Sequence, residues 1–345
     1  MFEGLFGTKS NGDRAADATV PTTVETTPGR EPELVRPSIG LALGGGAARG
    51  FAHIGVMRVL LANNIIPDVI VGTSIGAVVG GCHAAGRLDE FEAWARGLTF
   101  RGILGYLDMS FGGSGLISGK HLVRRLDDAL GKTRIDDLPI RFAAIATEIT
   151  TGHEIWLTRG LLVDALRASY ALPGIFPPVR IGGRWLVDGA LVNPVPVSAA
   201  RSLGARLVIA VNLNSELAAR GATIASHGSD DFDEKAHDFV ENSGGLSGMF
   251  GARRALRRQF FGGSPGIPTV MIDAFNVMQD RITRARLAGE PPDVSIAPRV
   301  WHVGWFDFQR ADEAIRIGVE AAEKALPDIQ DAIAALSHPA DLSAP

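Results

Sequence analysis

Short apolar runs alternate with mixed polar and apolar segments through most of the chain. Ser38-Ile39-Gly40-Leu41-Ala42-Leu43 is the first run, with no polar face, which is the pattern of a strand buried on both sides. The glycine-rich stretch Gly44-Gly45-Gly46-Ala47-Ala48-Arg49-Gly50 follows, and the segment after it predicts a helix through about Asn63. Asp68-Val69-Ile70-Val71 is a second apolar run. Gly72-Thr73-Ser74-Ile75-Gly76 then forms a turn before a helix over Ala77 to Ala85. Strand, helix, strand and helix within so short a span predict parallel strands joined by crossover helices.

The same reading continues downstream. Phe142 to Glu148 and His153 to Leu157 read as two strands around Thr151-Gly152, and a helix at about 161–169 ends before Pro173-Gly174. Arg184 to Val187 reads as the second arm of a hairpin turning at Gly182-Gly183, and it runs into Asp188-Gly189-Ala190. A helix at about 195–203, a strand Leu207 to Val211, a helix at about 268–288, a strand near Asp293 to Ile296 and a last helix at about 310–325 complete the pattern. Two stretches break it. Residues 1–37 hold no apolar periodicity beyond the first few positions and read as a disordered N-terminal segment. Residues 214–267 are polar and Gly/Ser-rich, too long for an ordinary connection, and read as a functional insertion or a partly disordered segment in a single α/β domain over 38–330. Residues 331–345 read as a loose C-terminal tail.

Charge and composition narrow the function. A formal net charge of -4 argues against a general nucleic-acid binder. The single cysteine, Cys82, allows no internal disulfide and no thiolate metal cluster. No run of eighteen apolar residues predicts a membrane-spanning helix. The first residues lack the basic and apolar regions of a secretory signal, so the expected location is the cytoplasm.

The chemistry concentrates at three places. Ser74, flanked by Gly72 and Gly76 between a strand and a helix, has the setting of a nucleophile elbow. The helix begins beside the serine oxygen, where its unpaired N–H groups and dipole favour negative charge. The alternative is a glycine-rich strand–helix connection with no catalytic role. The turn at 44–50 leaves the first strand and opens a helix, so backbone N–H groups there and at Ile75 can face the oxyanion of a tetrahedral intermediate. Arg49 stands where a dinucleotide fingerprint wants a third small residue, and no Gly-Lys-Ser/Thr triplet makes a phosphate loop. Asp188 ends a strand before glycine, which fits either a turn former or a base.

A serine hydroxyl needs a base. A triad in the order Ser74, Asp188, His302 is one reading. Against it, the elbow comes on only the second strand, and the glycine turn belongs to the first strand and lacks a leading histidine. The other reading gives Asp188 the proton directly.

Taken together, Gly44 to Gly50, Gly72 to Gly76 and Asp188-Gly189-Ala190 resemble the three signatures of the patatin-like phospholipase family, over about residues 38–325. Pro173 to Pro178 and Asn193 to Pro196 resemble its bacterial branch, related to the neuropathy target esterases. The resemblance implies a three-layer α/β/α fold with a mainly parallel central sheet and a Ser74–Asp188 dyad without histidine. It also implies hydrolysis of fatty-acyl esters of phospholipids or lysophospholipids, with no metal or organic cofactor. Gly44, Gly45, Gly46 and Ile75 would then supply the oxyanion donors, with Arg49, Gly72, Gly76 and Gly189 in support. Ala190 stands where many relatives have glycine. A regulator that binds acyl groups without cleaving them, and acyl transfer to an alcohol instead of water, are the competing readings.

Access to lipid has its own candidate. Arg253, Arg254, Arg257 and Arg258 lie among Met249, Leu256, Phe260 and Phe261. Wound as a helix, 249–261 could rest peripherally on an anionic bilayer at the inner face of the membrane, or dock as a solvated basic helix on protein. Loop 110–119 is a candidate lid. Oligomeric state is left open.

Overall fold

The computed structural model describes residues 36–99, 120–215 and 267–337. The N-terminal segment through 35, the lid candidate at 110–119, the insertion from 216 with its basic 249–261 piece, and the last residues from 338 lie outside the described residues.

One eight-stranded sheet organises the molecule. Strand β1 (Ile39–Leu43) lies at its centre, parallel to β2 (Val69–Thr73) on one side and to β7 (Leu207–Val211) on the other. β3 (Arg141–Glu148) extends the parallel set beyond β2, and β8 (Val294–Ile296) extends it beyond β7. Around β3 the direction reverses. β4 (Glu154–Leu157) and β6 (Arg184–Asp188) both pair antiparallel with it, and β5 (Val179–Ile181) closes the edge against β6. The sheet is thus mixed, with a parallel core of five strands. The two hairpins fall where the turn residues predict, β3–β4 around Thr151-Gly152 and β5–β6 around Gly182-Gly183, with all three glycines at positive φ.

Alternation along the strands makes two unequal faces. Ile39, Leu41 and Leu43 of β1, Ile70 of β2, Phe142 of β3 and Leu207, Ile209 and Val211 of β7 point to one side. That side carries α1 (Ala52–Ala62), α2 (Ile75–Ala84), α3 (Leu88–Arg96), α4 (Lys120–Leu130), α5 (Leu162–Ser169) and the long α8 (Ala311–Ser337). Ala42, Val69, Val71, Ala143, Val208 and Ala210 point to the other, against the short α6 (Val197–Ser202), with Leu287 of α7 (Ile267–Gly289) packed on the same cluster. Large side chains meet the thick helical layer and smaller ones the thin layer.

α8 differs from expectation. It runs to Ser337 through Pro327, past the limit near 325, and takes in residues 331–337 that read as the start of a loose tail. Burial explains the extension: Ile329 is fully buried, and Ile333 and Leu336 pack on the main core. Tertiary contact outweighs the backbone hydrogen bond that proline removes.

Candidate active site

The C-terminal ends of β1 and β2 deliver the first two elements of the site. Chain leaving β2 turns at Ser74, whose φ of 56° and ψ of -124° are strained for a residue with a side chain. α2 then begins at once, with the N–H of Ala77 donating to the Ser74 carbonyl at 3.0 Å. The flanking glycines are steric necessities. A Cβ on Gly72 would lie 2.3 Å from the Ala77 nitrogen, and one on Gly76 would lie 2.3 Å from the Leu43 carbonyl oxygen. The strained serine is also held from outside, because its N–H donates to Ser169 Oγ at 2.9 Å and that hydroxyl donates to the Ile145 carbonyl at 2.6 Å. Nothing in the sequence singles out Ser169 for this task.

β6 supplies the third element. Asp188, at its end, is paired across the sheet with Ala146 of β3, and its Oδ2 accepts the Ser74 hydroxyl at 2.7 Å. The N–H of Ala190 donates to Oδ1 at 2.8 Å. Thr147 Oγ1 donates to the Asp188 carbonyl, and Thr73 Oγ1 donates to the Asn193 carbonyl, so both ends of this segment are tied to the strands beside it. Burial pushes the Asp188 carboxyl up to about 7, against the opposing pull of the Ala190 N–H and the Ser74 hydroxyl. A carboxylate with that affinity for a proton suits a base near neutrality.

The imidazole reading finds no support in the geometry. The segment carrying His302 does pack on the glycine turn, through Ala48 N–H to the Trp305 carbonyl and Arg49 Nε to the Val303 carbonyl. The His302 ring itself, however, turns to Glu313 at 2.9 Å. No histidine hydrogen-bonds Ser74 or Asp188 among the described residues. Arg49 is a buried clamp between the turn and this segment.

The oxyanion donors need a correction. Gly44 and Gly45 are committed elsewhere, the first donating to the Val211 carbonyl at 3.1 Å and the second to the Pro194 carbonyl at 3.0 Å. These bonds fasten the turn to β7 and to the Asn193-Pro194 segment. The N–H groups of Gly46 and Ile75 have no partner among the described residues, and both residues line the same cleft as Ser74. Gly189, expected in support, meets a steric need. It lets the chain pass β3, where an added Cβ would sit 2.3 Å from the Ile145 carbonyl oxygen.

Ser74 and Asp188 open onto a cleft of about 830 Å³, counting the solvent at its mouth. Its wall is mostly apolar, formed by Phe51, Val78, Phe91, Trp94, Leu126 and Phe308 among others. Gln279, almost wholly buried, is the main polar exception. An apolar cleft with few polar groups is the usual form of a small-molecule site. Among the described residues, no group of three His, Cys, Asp or Glu side chains is gathered as a metal site.

Comparison with known proteins fits this geometry. A family model described as patatin-like phospholipase matches residues 41–201, from β1 to α6. An uncharacterized NTE family protein of Mycobacterium tuberculosis is 35% identical over 332 residues, a match covering 84% of this chain and 91% of the relative. The chain belongs to the patatin-like phospholipase family. Membership brings the reaction class with it, hydrolysis of an ester. This patatin-like chain is also 35% identical over 183 residues to the lysophospholipase NTE1 of Yarrowia lipolytica, across 52% of its own length and 13% of that larger protein. Among solved structures, VipD from Legionella pneumophila superposes with a TM-score of 0.42 at 14% identity, over 85% of this chain and 67% of that one. No described helix is long and apolar enough to cross a membrane.

Proposed function

We propose that this chain is a serine lipid acyl hydrolase that uses Ser74 and Asp188 to cleave fatty-acyl esters of phospholipids or lysophospholipids. The 2.7 Å bond between Ser74 Oγ and Asp188 Oδ2, at an apolar cleft, carries the proposal. Ser74 Oγ attacks the ester carbonyl while Asp188 takes its proton. The tetrahedral oxyanion accepts from the N–H groups of Gly46 and Ile75, where the dipole of α2 adds its field. Collapse expels the lysolipid or glycerophospho alcohol, which takes the proton back from Asp188. Water then enters, gives a proton to Asp188 and attacks the acyl-serine, and collapse of this second intermediate returns that proton to Ser74 Oγ as the fatty acid leaves.

Lysophospholipid turnover is the direct test. Ser74→Ala and Asp188→Asn should each reduce fatty-acid release to background, with His302→Ala keeping most of it. A folded His302→Ala protein without turnover would restore the triad. Retained release in Ser74→Ala would end the reading altogether.

We further propose peripheral contact with anionic membrane at the inner face through residues 249–261, a reading that rests on their sequence. Flotation with anionic vesicles should fall when Arg253, Arg254, Arg257 and Arg258 are changed to glutamate; unchanged flotation removes this role.

A further inference from the structure

His53 is the buried titratable group that the reaction above leaves unused, and it touches the machinery. It sits wholly buried in the first turn of α1, with Nε2 2.7 Å from the Gly44 carbonyl oxygen. A carbonyl only accepts, so Nε2 carries the hydrogen. Nδ1 is then the bare nitrogen of a neutral ring, and it is buried without a partner among the described residues. Burial holds the imidazolium down at about 4, so the ring stays neutral across the range in which Asp188 titrates. Leaving a buried acceptor unpaired is unfavourable, and an apolar side chain of similar size would avoid it. The donor at Nε2 is what an apolar side chain lacks.

That donor acts on one peptide plane. The Gly44 carbonyl and the Gly45 N–H belong to the same rigid unit. His53 grips its oxygen, and the Pro194 carbonyl takes its N–H at 3.0 Å. The next unit carries the Gly46 N–H. Three glycines in a row have no side chains to fix their own orientation, so the turn depends on grips from outside. We propose that His53 is a positioning residue, locking the Gly44–Gly45 peptide so that the Gly46 N–H faces the oxyanion formed at Ser74. The inference rests on the reading of Gly46 and Ile75 as oxyanion donors.

The test compares His53→Leu, which removes the donor, with His53→Gln, whose amide nitrogen reaches the position of Nε2. Full-length protein is assayed on a lysophospholipid and on a soluble short-chain ester. Misplacing one oxyanion donor should lower kcat of the leucine variant roughly 100-fold. KM should stay within about twofold, because the donor matters only once charge has formed. The glutamine variant should recover most of the rate, and the midpoint of the pH profile should not move. Phosphonylation of Ser74 by a fluorophosphonate should slow in parallel. If the leucine variant does not fold, His53→Asn, whose amide falls short of Gly44, takes its place against His53→Gln. A kcat within threefold of wild type overturns the inference, as does equal loss in the glutamine variant or a shifted pH midpoint. Failure of the wild type to label at Ser74 would instead overturn the functional reading beneath it.

Discussion

The hydroxyl of Ser169 stands between the N–H of Ser74 and the carbonyl of Ile145, at 2.9 Å from the first and 2.6 Å from the second. It joins the end of α5 to the strained turn and to β3. Removing it in Ser169→Ala leaves the Ser74 N–H without its acceptor in a buried place, which costs about 1–3 kcal/mol of stability. The turn is then free to relax away from Asp188, and kcat should fall roughly 10-fold, a loss typical of a small misplacement of a reacting group. Steady-state kinetics beside a urea titration check both; unchanged kcat in a destabilised protein would limit Ser169 to a structural role.

The carboxyl of Asp188 predicts opposite pH trends for activity and stability. Its proton must leave before it can act as a base, so kcat/KM should rise with one proton to a midpoint near 7. The folded protein also binds this proton more tightly than the unfolded chain, where an aspartate titrates near 3.9. Between about pH 4 and pH 7 the unfolded chain has therefore released a proton that the folded one retains, and this group's contribution to stability falls as pH rises. Asp188→Asn removes that penalty. The inactive variant should be more stable than wild type at pH 8, by up to about 4 kcal/mol, with the gap closing toward pH 4. Denaturant midpoints at the two pH values decide it, and an asparagine variant weaker at both would refute the burial argument.

α1 and α8 touch backbone to backbone. A Cβ on Gly55 would lie 2.0 Å from the Ile315 carbonyl oxygen, and one on Gly318 would lie 2.0 Å from that of Ala52. Neither clash can be relieved by turning a side chain. Gly318→Ala should force the helices apart and cost about 1–3 kcal/mol. Gly55→Ala added to it should cost less than it does alone, since the helices have already parted. Thermal melts of the two single variants and the double variant test this, and strict additivity would show that the contacts are independent.

Val78 lies one turn beyond Ser74 on α2 and lines the cleft. Val78→Trp should shorten the space for an acyl chain. Excluding two methylenes, at about 0.8 kcal/mol each, should lower the ratio of long-chain to short-chain ester turnover roughly 10-fold. A panel of esters differing only in chain length measures it, and an unchanged ratio would put the chain elsewhere.

Much of this was legible in the sequence because the signals are local. The elbow around Ser74, the strand ending at Asp188 and the hairpins with glycine in their turns each follow from a few neighbouring residues. What escaped depends on partners far along the chain. Gly44 and Gly45 look like free donors until β7 and the Asn193-Pro194 segment come to lie beside them. The antiparallel edge of β4, β6 and β5 is set by pairing with β3, not by any difference in strand composition. α3 has only Leu88, Phe91 and Ala95 buried, too brief an apolar stripe to stand out from the charged residues around it. α8 outruns Pro327 because Ile329 finds a core position that no local rule contains.

The position of β6 has a consequence during synthesis. Ser74 emerges with the end of β2, whereas the carboxylate that bonds it lies 114 residues further along, on a strand that joins the sheet at the far side of β3. On the proposed mechanism, a chain cut short after β4 would carry a nucleophile without the carboxylate that takes its proton. Ester cleavage would then wait for β6 to dock beside β3, and its onset on the ribosome would time the docking of the β5–β6 hairpin.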